Sequence, residues 1–284
     1  MSWRWFSPHL RRPIIVQPIH RLWLMTALML LSASSFIPRM FSPRGDAPDY
    51  LNVLEFLNGT FSGEFTLFNR LIASPLFLIS SFAIGKLLPQ IGFGLVVMNI
   101  LGYFVLVSGM FYLAKRIFQS EIVALIAALL LMSNQVLLNF GLGFMADTWG
   151  IALFVWGSYW AMSYYRQPEQ KKYFWYSLLT AIVGFFFREY GALGLLTLGM
   201  VILLRVRPVS AMFKQGLLAL AVFLPLPLLY YWWFYQTFGF TYLDWFSHNV
   251  TVYAAGSGAA DYSLLLIIKI LVWLFLAGWP LVVL

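Results

Sequence analysis

Three stretches of this chain carry no charge: 87–114 between Lys86 and Lys115, 122–146 between Glu121 and Asp147, and 215–243 between Lys214 and Asp244. Each exceeds the roughly 20 apolar residues that take an α-helix across a bilayer core, so each reads as a membrane-crossing segment. The composition agrees: 62% of residues are hydrophobic and 10% are charged, where a soluble globule carries about 25%. These features exclude a soluble enzyme, a secreted disulfide scaffold and a disordered tail. The chain has no cysteine, which removes a thiol nucleophile, a cysteine metal site and any disulfide. The net charge of +8 is spread along the chain without a basic cluster large enough for nucleic acid, so no nucleic-acid partner is expected.

The charges order the segments. Residues 1–21 hold Arg4, Arg11, Arg12 and Arg21 and no acid, and an apolar stretch, 22–37, closes at Pro38. That is the pattern of a signal-anchor with a cytoplasmic N-terminus. A cleaved signal peptide is the alternative, since the apolar core 22–31 precedes Ser32, Ala33 and Ser34. The retained anchor is favoured, with 1–21 as a basic cytoplasmic N-terminus and 22–284 as a polytopic membrane domain. Further apolar segments fall at about 71–88, 91–114, 121–140, 147–165, 173–188, 190–204, 215–237 and 263–284. If all of them cross, Lys115, Arg116, Arg166, Lys171, Lys172, Arg205, Arg207 and Lys214 lie outside, against the positive-inside bias. The segment 71–88 is short and interrupted by Ser74-Pro75 and Lys86. If it stays on the outer side as a re-entrant or interfacial helix, every one of those cations moves inside. Asp46, Asp49, Glu55, Glu64, Asp147, Glu189, Asp244 and Asp261 then sit at or beyond the outer face. The expected fold is therefore all-α and integral to a membrane. It has about eight transmembrane helices, a helical first outer loop at about 39–90 and a second outer loop at about 238–262. The chain stops inside an apolar run, 273–284, as a C-terminally truncated polypeptide or a final helix would.

The first outer loop is the most informative stretch. It begins Arg44-Gly45-Asp46-Ala47-Pro48-Asp49-Tyr50, and Tyr50, Val53, Leu54 and Leu57 then recur at helical spacing. The pattern predicts an amphipathic helix lying in the interface, with Asp46 as N-cap, Pro48 in the first turn and Gly59 at the end. Asp46 is thus either a helix cap or a carboxylate held at the membrane surface as a general base. Asp147 opens the next outer boundary and is either a helix-dipole acid or a ligand for sugar or acceptor. Arg188 interrupts an apolar stretch where an arginine costs about 3 kcal/mol on insertion scales. It either pairs structurally with Glu189 or holds an anion. Arg70 reads as a solvated loop cation or a second anion contact. The residues 230, 231, 232, 233 and 235, all Tyr or Trp, read as an interfacial belt, and His248 lacks a partner at metal-ligand spacing.

Gly-Asp-x-Pro-x-Tyr-Leu after a first span, followed by an interfacial helix, resembles the start of polytopic GT-C glycosyltransferases, the relatives of protein O-mannosyltransferases and lipid A aminoarabinose transferases. Phe68-Asn69-Arg70-Leu71-Ile72-Ala73-Ser74-Pro75-Leu76, Met145-Ala146-Asp147, Lys115-Arg116-Ile117-Phe118 and Phe187-Arg188-Glu189-Tyr190-Gly191 are similar to further features of that layout. Ser74-Pro75 departs from the usual Pro-Pro pair, and the family's C-terminal region is missing. The resemblance implies transfer of a sugar from a polyprenyl-phosphate carrier to a hydroxyl on a glycan, lipid or protein, on the outer face of what would be a prokaryotic cytoplasmic membrane. It implies Asp46, with Asp49 as alternative, as base. Asp147, Arg188, Glu189 and Arg70 are the candidate substrate contacts. Some relatives use a divalent metal, but Asp46 and Asp49 alone do not demand one. Two other classes remain open: a transporter or flippase, which would line its path with charges such as Arg188, Glu189 and Lys269, and a non-catalytic membrane subunit.

Overall fold

Close approach of backbones at small residues organises this molecule. The computed structural model describes residues 18–33, 47–62, 69–134, 144, 146–206 and 208–244, and all regular elements among them are helical. They are α1 (Pro18–Ala33), α2 (Ala47–Leu57), α3 (Asn69–Ala73), α4 (Pro75–Gly85), α5 (Phe93–Phe118), α6 (Glu121–Met132), α7 (Asp147–Arg166), α8 (Lys172–Phe187), a 3-10 turn (Glu189–Leu193), α9 (Gly194–Arg205), α10 (Val209–Phe223) and α11 (Pro225–Phe238). Among the described residues two helices are long and apolar enough to cross a membrane: Phe93–Phe118, with 26 residues, and Val209–Phe238, with 30. The second joins α10 to α11 through Leu224. Within the apolar segments expected at 121–140, 173–188 and 190–204 lie the helices α6, α8 and α9, with 12, 16 and 12 residues, each shorter than a full crossing, while 263–284, His248, Asp261 and Lys269 lie outside the described residues.

The pairing of α5 with α7 is built on a seven-residue repeat. Trp149 and Trp156 donate their Nε1–H to the carbonyls of Met98 and Val105 at 2.7 and 2.9 Å. Their indoles lie over Gly102 and Gly109, where an added Cβ would sit 2.8 Å from each Nε1. Partner numbers rise together on both helices, so α5 and α7 run parallel. At Gly157 and Gly194, α7 and α9 touch backbone to backbone, with an added Cβ on Gly157 only 3.2 Å from the Gly194 Cα. Small residues at such crossings are the usual device of helices packed in lipid, where apolar burial alone does not drive association. Outward faces stay apolar: Leu196, Met200, Leu203, Leu204, Phe213, Leu217, Leu228 and Leu229 are all exposed.

The bundle has two chemically distinct ends. At one, Arg116 donates to the Ser163 carbonyl (3.3 Å), Arg166 to that of Ile117 (3.0 Å), and Tyr164 to Gln215 (3.0 Å), while Arg205 lies over the Tyr165 ring. The turns bearing Lys115, Arg116, Arg166, Lys171, Lys172 and Arg205 therefore share this end. At the other lie α2, α3 and Asp147, with the 3-10 turn. The segment 71–88 both starts and finishes at that second end. Arg70 bonds Asp49 of α2, and Lys86 bonds Asn58 just beyond α2. Its main helix, α4, has 11 residues, about 17 Å of rise and too little for a 30 Å core. The expected amphipathic helix is present as α2, closed by Gly59 at φ 73°. Its apolar face corrects one expectation. Tyr50, Val53 and Leu54 are buried among Phe77, Leu78 and Leu95 of α4 and α5, not turned to the interface.

Bulk at the backbone crossing should be costly and bulk elsewhere should not. Gly157→Leu is expected to destabilise by about 1–3 kcal/mol through overpacking. Gly199→Ala and Gly216→Ala, where nothing lies within 4 Å of an added Cβ, should stabilise by up to about 1 kcal/mol through helix propensity. Thermal unfolding of the three variants in one detergent checks the ranking.

Candidate functional site

Arg188 ends α8 in an extended conformation (φ −166°, ψ 133°), which breaks the helix and turns the guanidinium toward α2 and the start of α7. The Trp149 and Phe187 rings stack at 4.8 Å beside it and fix the break. With an 88% buried side chain, the cation needs counter-charge, and two acids supply it. Nε lies 3.5 Å from Asp147 Oδ1 and 3.6 Å from Glu189 Oε2, the Arg188 side chain being 12% exposed. Nη1 donates to the Tyr50 hydroxyl at 3.4 Å. Both acid contacts are ion pairs without hydrogen-bond geometry, and Arg188 Nε and Glu189 Oε2 are buried with no hydrogen-bond partner.

Three tyrosines and a second arginine complete the cluster. Tyr190 donates to Asp147 Oδ1 at 2.5 Å and Tyr242 to Glu189 Oε1 at 3.1 Å. Arg70 Nε lies 3.3 Å from Asp49 Oδ2, and its guanidinium sits 5.7 Å from the centre of the Tyr50 ring. Burial raises the pKa of the Tyr50 phenol, and burial followed by the negative charge of Glu189 pushes Tyr242 up to about 12. Both therefore stay protonated at neutral pH and act as donors or neutral hydroxyls. Tyr230 fastens this end by donating to the Leu71 carbonyl at 2.7 Å.

The structure thus brings five of the sequence-derived candidates together: Asp49, Arg70, Asp147, Arg188 and Glu189. The sixth, Asp46, lies outside the described residues. One reading changes: Arg70 is not a solvated loop cation but 7% exposed and bonded to Asp49. Of the aromatic group, Tyr230 bonds the Leu71 carbonyl, whereas Trp232, Trp233 and Tyr235 are exposed. Asp244 binds the amide and hydroxyl of Thr241, which lowers its pKa, and takes no part in the cluster. Sequence reasoning passed over the roles of Tyr50 and Tyr190; a tyrosine next to an acid at a helix boundary was the available signal.

Among the described residues no three of His, Cys, Asp and Glu are grouped to hold a metal ion. Asp49, Asp147 and Glu189 are instead each engaged by an arginine or a tyrosine. Paired in this way, these residues do not offer a divalent cation a set of free ligands. Within the cluster two guanidiniums and protonated phenols meet three carboxylates, Asp49, Asp147 and Glu189, that pair directly with them. Comparison with family models, curated proteins and solved structures gives no match.

Gly150 is the packing point on which this array rests, since an added Cβ would lie 2.3 Å from Tyr190 Cε2 and 2.8 Å from Arg188 Cβ. Gly150→Ala is expected to destabilise by about 1–3 kcal/mol despite the better helix former. Combined with Tyr190→Phe its effect should be less than additive, because both act through one ring. A thermal double-mutant cycle checks this, and strict additivity would place the Gly150 effect elsewhere.

Proposed function

We propose that this chain is a membrane glycosyltransferase of the GT-C type that moves a sugar from a polyprenyl-phosphate carrier to an acceptor hydroxyl. The observation that carries the reading is the convergence of Asp49, Arg70, Asp147, Arg188 and Glu189 at the end of the bundle remote from the basic turns. In this reading about eight helices cross the membrane, the basic turns face the cytoplasm, and the cluster lies on the outer side.

The buried Nε–H of Arg188, without a hydrogen-bond partner, is the donor assigned to the carrier phosphate, with Tyr50 beside it. The acceptor O–H gives its proton to Asp46 or, failing that, Asp49. Its oxygen bonds the anomeric carbon as the carbon–oxygen bond to phosphate breaks, and the polyprenyl phosphate leaves with the electron pair. A phosphate leaves without being protonated, so one carboxylate base is enough, unlike the pair a glycosidase needs. Asp147, held by Tyr190, orients the substrate.

Transfer of radiolabel from a polyprenyl-phosphate-sugar by purified protein tests the activity. Asp46→Asn or Asp49→Asn is expected to lower the rate by about 10²–10⁴-fold, the usual weight of a general base, with expression unchanged. Full rates in both variants would remove the base assignment, and uptake of substrate without a covalent product would favour the transporter. A reporter fused at residue 118 should lie in the cytoplasm; finding it outside would invert the topology.

A further inference from the structure

The opposite end of the bundle holds a second polar site that sugar transfer does not use. A cavity of about 460 Å³ opens between the last turn of α5 and the last turns of α7, lined by Tyr112, Lys115, Arg116, Gln119, Tyr159 and Arg166. Three of its six lining side chains are cations. Lys115 is partly offset by its ion pair with Glu121. Arg116 and Arg166 have no acid partner among the described ion pairs, and each spends one Nη2 on a main-chain carbonyl, of Ser163 and Ile117 respectively. Those bonds fix the direction of each guanidinium without neutralising it. The Arg116 Nε atom is buried and has no hydrogen-bond partner, an uncommon state for a charged donor.

Chain geometry holds this arrangement open. Gln119 adopts a left-handed conformation (φ 56°) that stops α5 and carries the chain into α6. Its carboxamide, with the oxygen toward Arg166, accepts from that guanidinium. Beside the cavity runs an aromatic series. Tyr112 packs on Trp156 and Tyr159, Trp160 stacks on Tyr173 at 5.8 Å, and Tyr176 meets the Trp160 edge. Aromatic rings with polar tips collect at headgroup depth in a bilayer. The cavity therefore combines fixed, unneutralised arginines with the aromatic setting of an interface, and its volume matches a small-molecule site.

We infer that this cavity binds the phosphodiester headgroup of an anionic membrane lipid, with Arg116 and Arg166 gripping the phosphate and Tyr112 and Tyr159 bordering it. Basic recesses between membrane helices are suited to such headgroups. The inference rests on the membrane reading but not on the sugar-transfer reading, because binding is measured without any transferase substrate.

The test is native mass spectrometry of delipidated full-length protein in detergent, titrated with dioleoyl-phosphatidylglycerol or dioleoyl-phosphatidylcholine. Wild type should bind the anionic lipid about tenfold more tightly, and Arg116→Gln/Arg166→Gln should lose that preference. Lys171→Gln/Lys172→Gln, on the same face but outside the cavity, should keep it. If the double variant is not recovered as a monodisperse species, Arg166→Gln alone takes its place, and a preference reduced by about threefold is expected. Equal affinity for the two lipids, or a preference untouched in the arginine variants, overturns the proposal. So does complete displacement of the lipid by millimolar inorganic phosphate, which would assign the cavity to a free anion.

Discussion

A guanidinium at the end of an apolar helix is the constraint on which one end of this molecule depends. Arg188 is buried at a break in the chain where neither lipid nor bulk water can solvate it, and an isolated charge there would be prohibitive. Its position dictates what must surround it. Asp147 has to open α7 at that level, Glu189 has to follow immediately, and Tyr50 has to arrive from α2. Tyr190 and Tyr242 then each donate one hydrogen bond, to Asp147 Oδ1 and Glu189 Oε1 respectively. Such a network is rigid and specific when every member is paired. The pair of buried atoms still lacking hydrogen bonds, Arg188 Nε and Glu189 Oε2, is where it is incomplete.

Rigidity in the scaffold makes that arrangement possible. The α5–α7 contact repeats one motif, indole over glycine with a carbonyl hydrogen bond, at two successive heptad steps. This locks the height of Asp147 relative to α5, and α4 and α2 in turn pack on the start of α5. The same contact sets the spacing of the far turns, where Arg116 and Arg166 cross-brace α5 and α7. One helix pair thereby sets both polar ends of the bundle.

Much of this was legible in the residues. Charge-free runs identified apolar helices, and the basic turns that the charge pattern grouped do share one end, where Arg116 and Arg166 bond across α5 and α7. Asp147, Arg188 and Glu189 stood out because charges at helix boundaries in an apolar chain are costly. What could not be read was the tertiary pairing. The periodicity of α2 specifies an apolar face but not whether lipid or protein covers it, so Tyr50 looked like a membrane-facing residue. The sequence around Arg70 gives no sign that α2 will bury it, since Asp49 lies 21 positions away. Likewise, nothing local separates Tyr230, bonded to Leu71, from the neighbouring exposed Trp232 and Trp233.

Photolabelling with a polyprenyl-phosphate-sugar carrying a diazirine on its first isoprene unit tests whether a lipid-linked phosphate sits at the Arg188 cluster. Labelled peptides should come from 47–57, 69–78 and 187–193, and unlabelled carrier should compete. Label confined to 112–119 and 159–166, or insensitive to competitor, would contradict the claim.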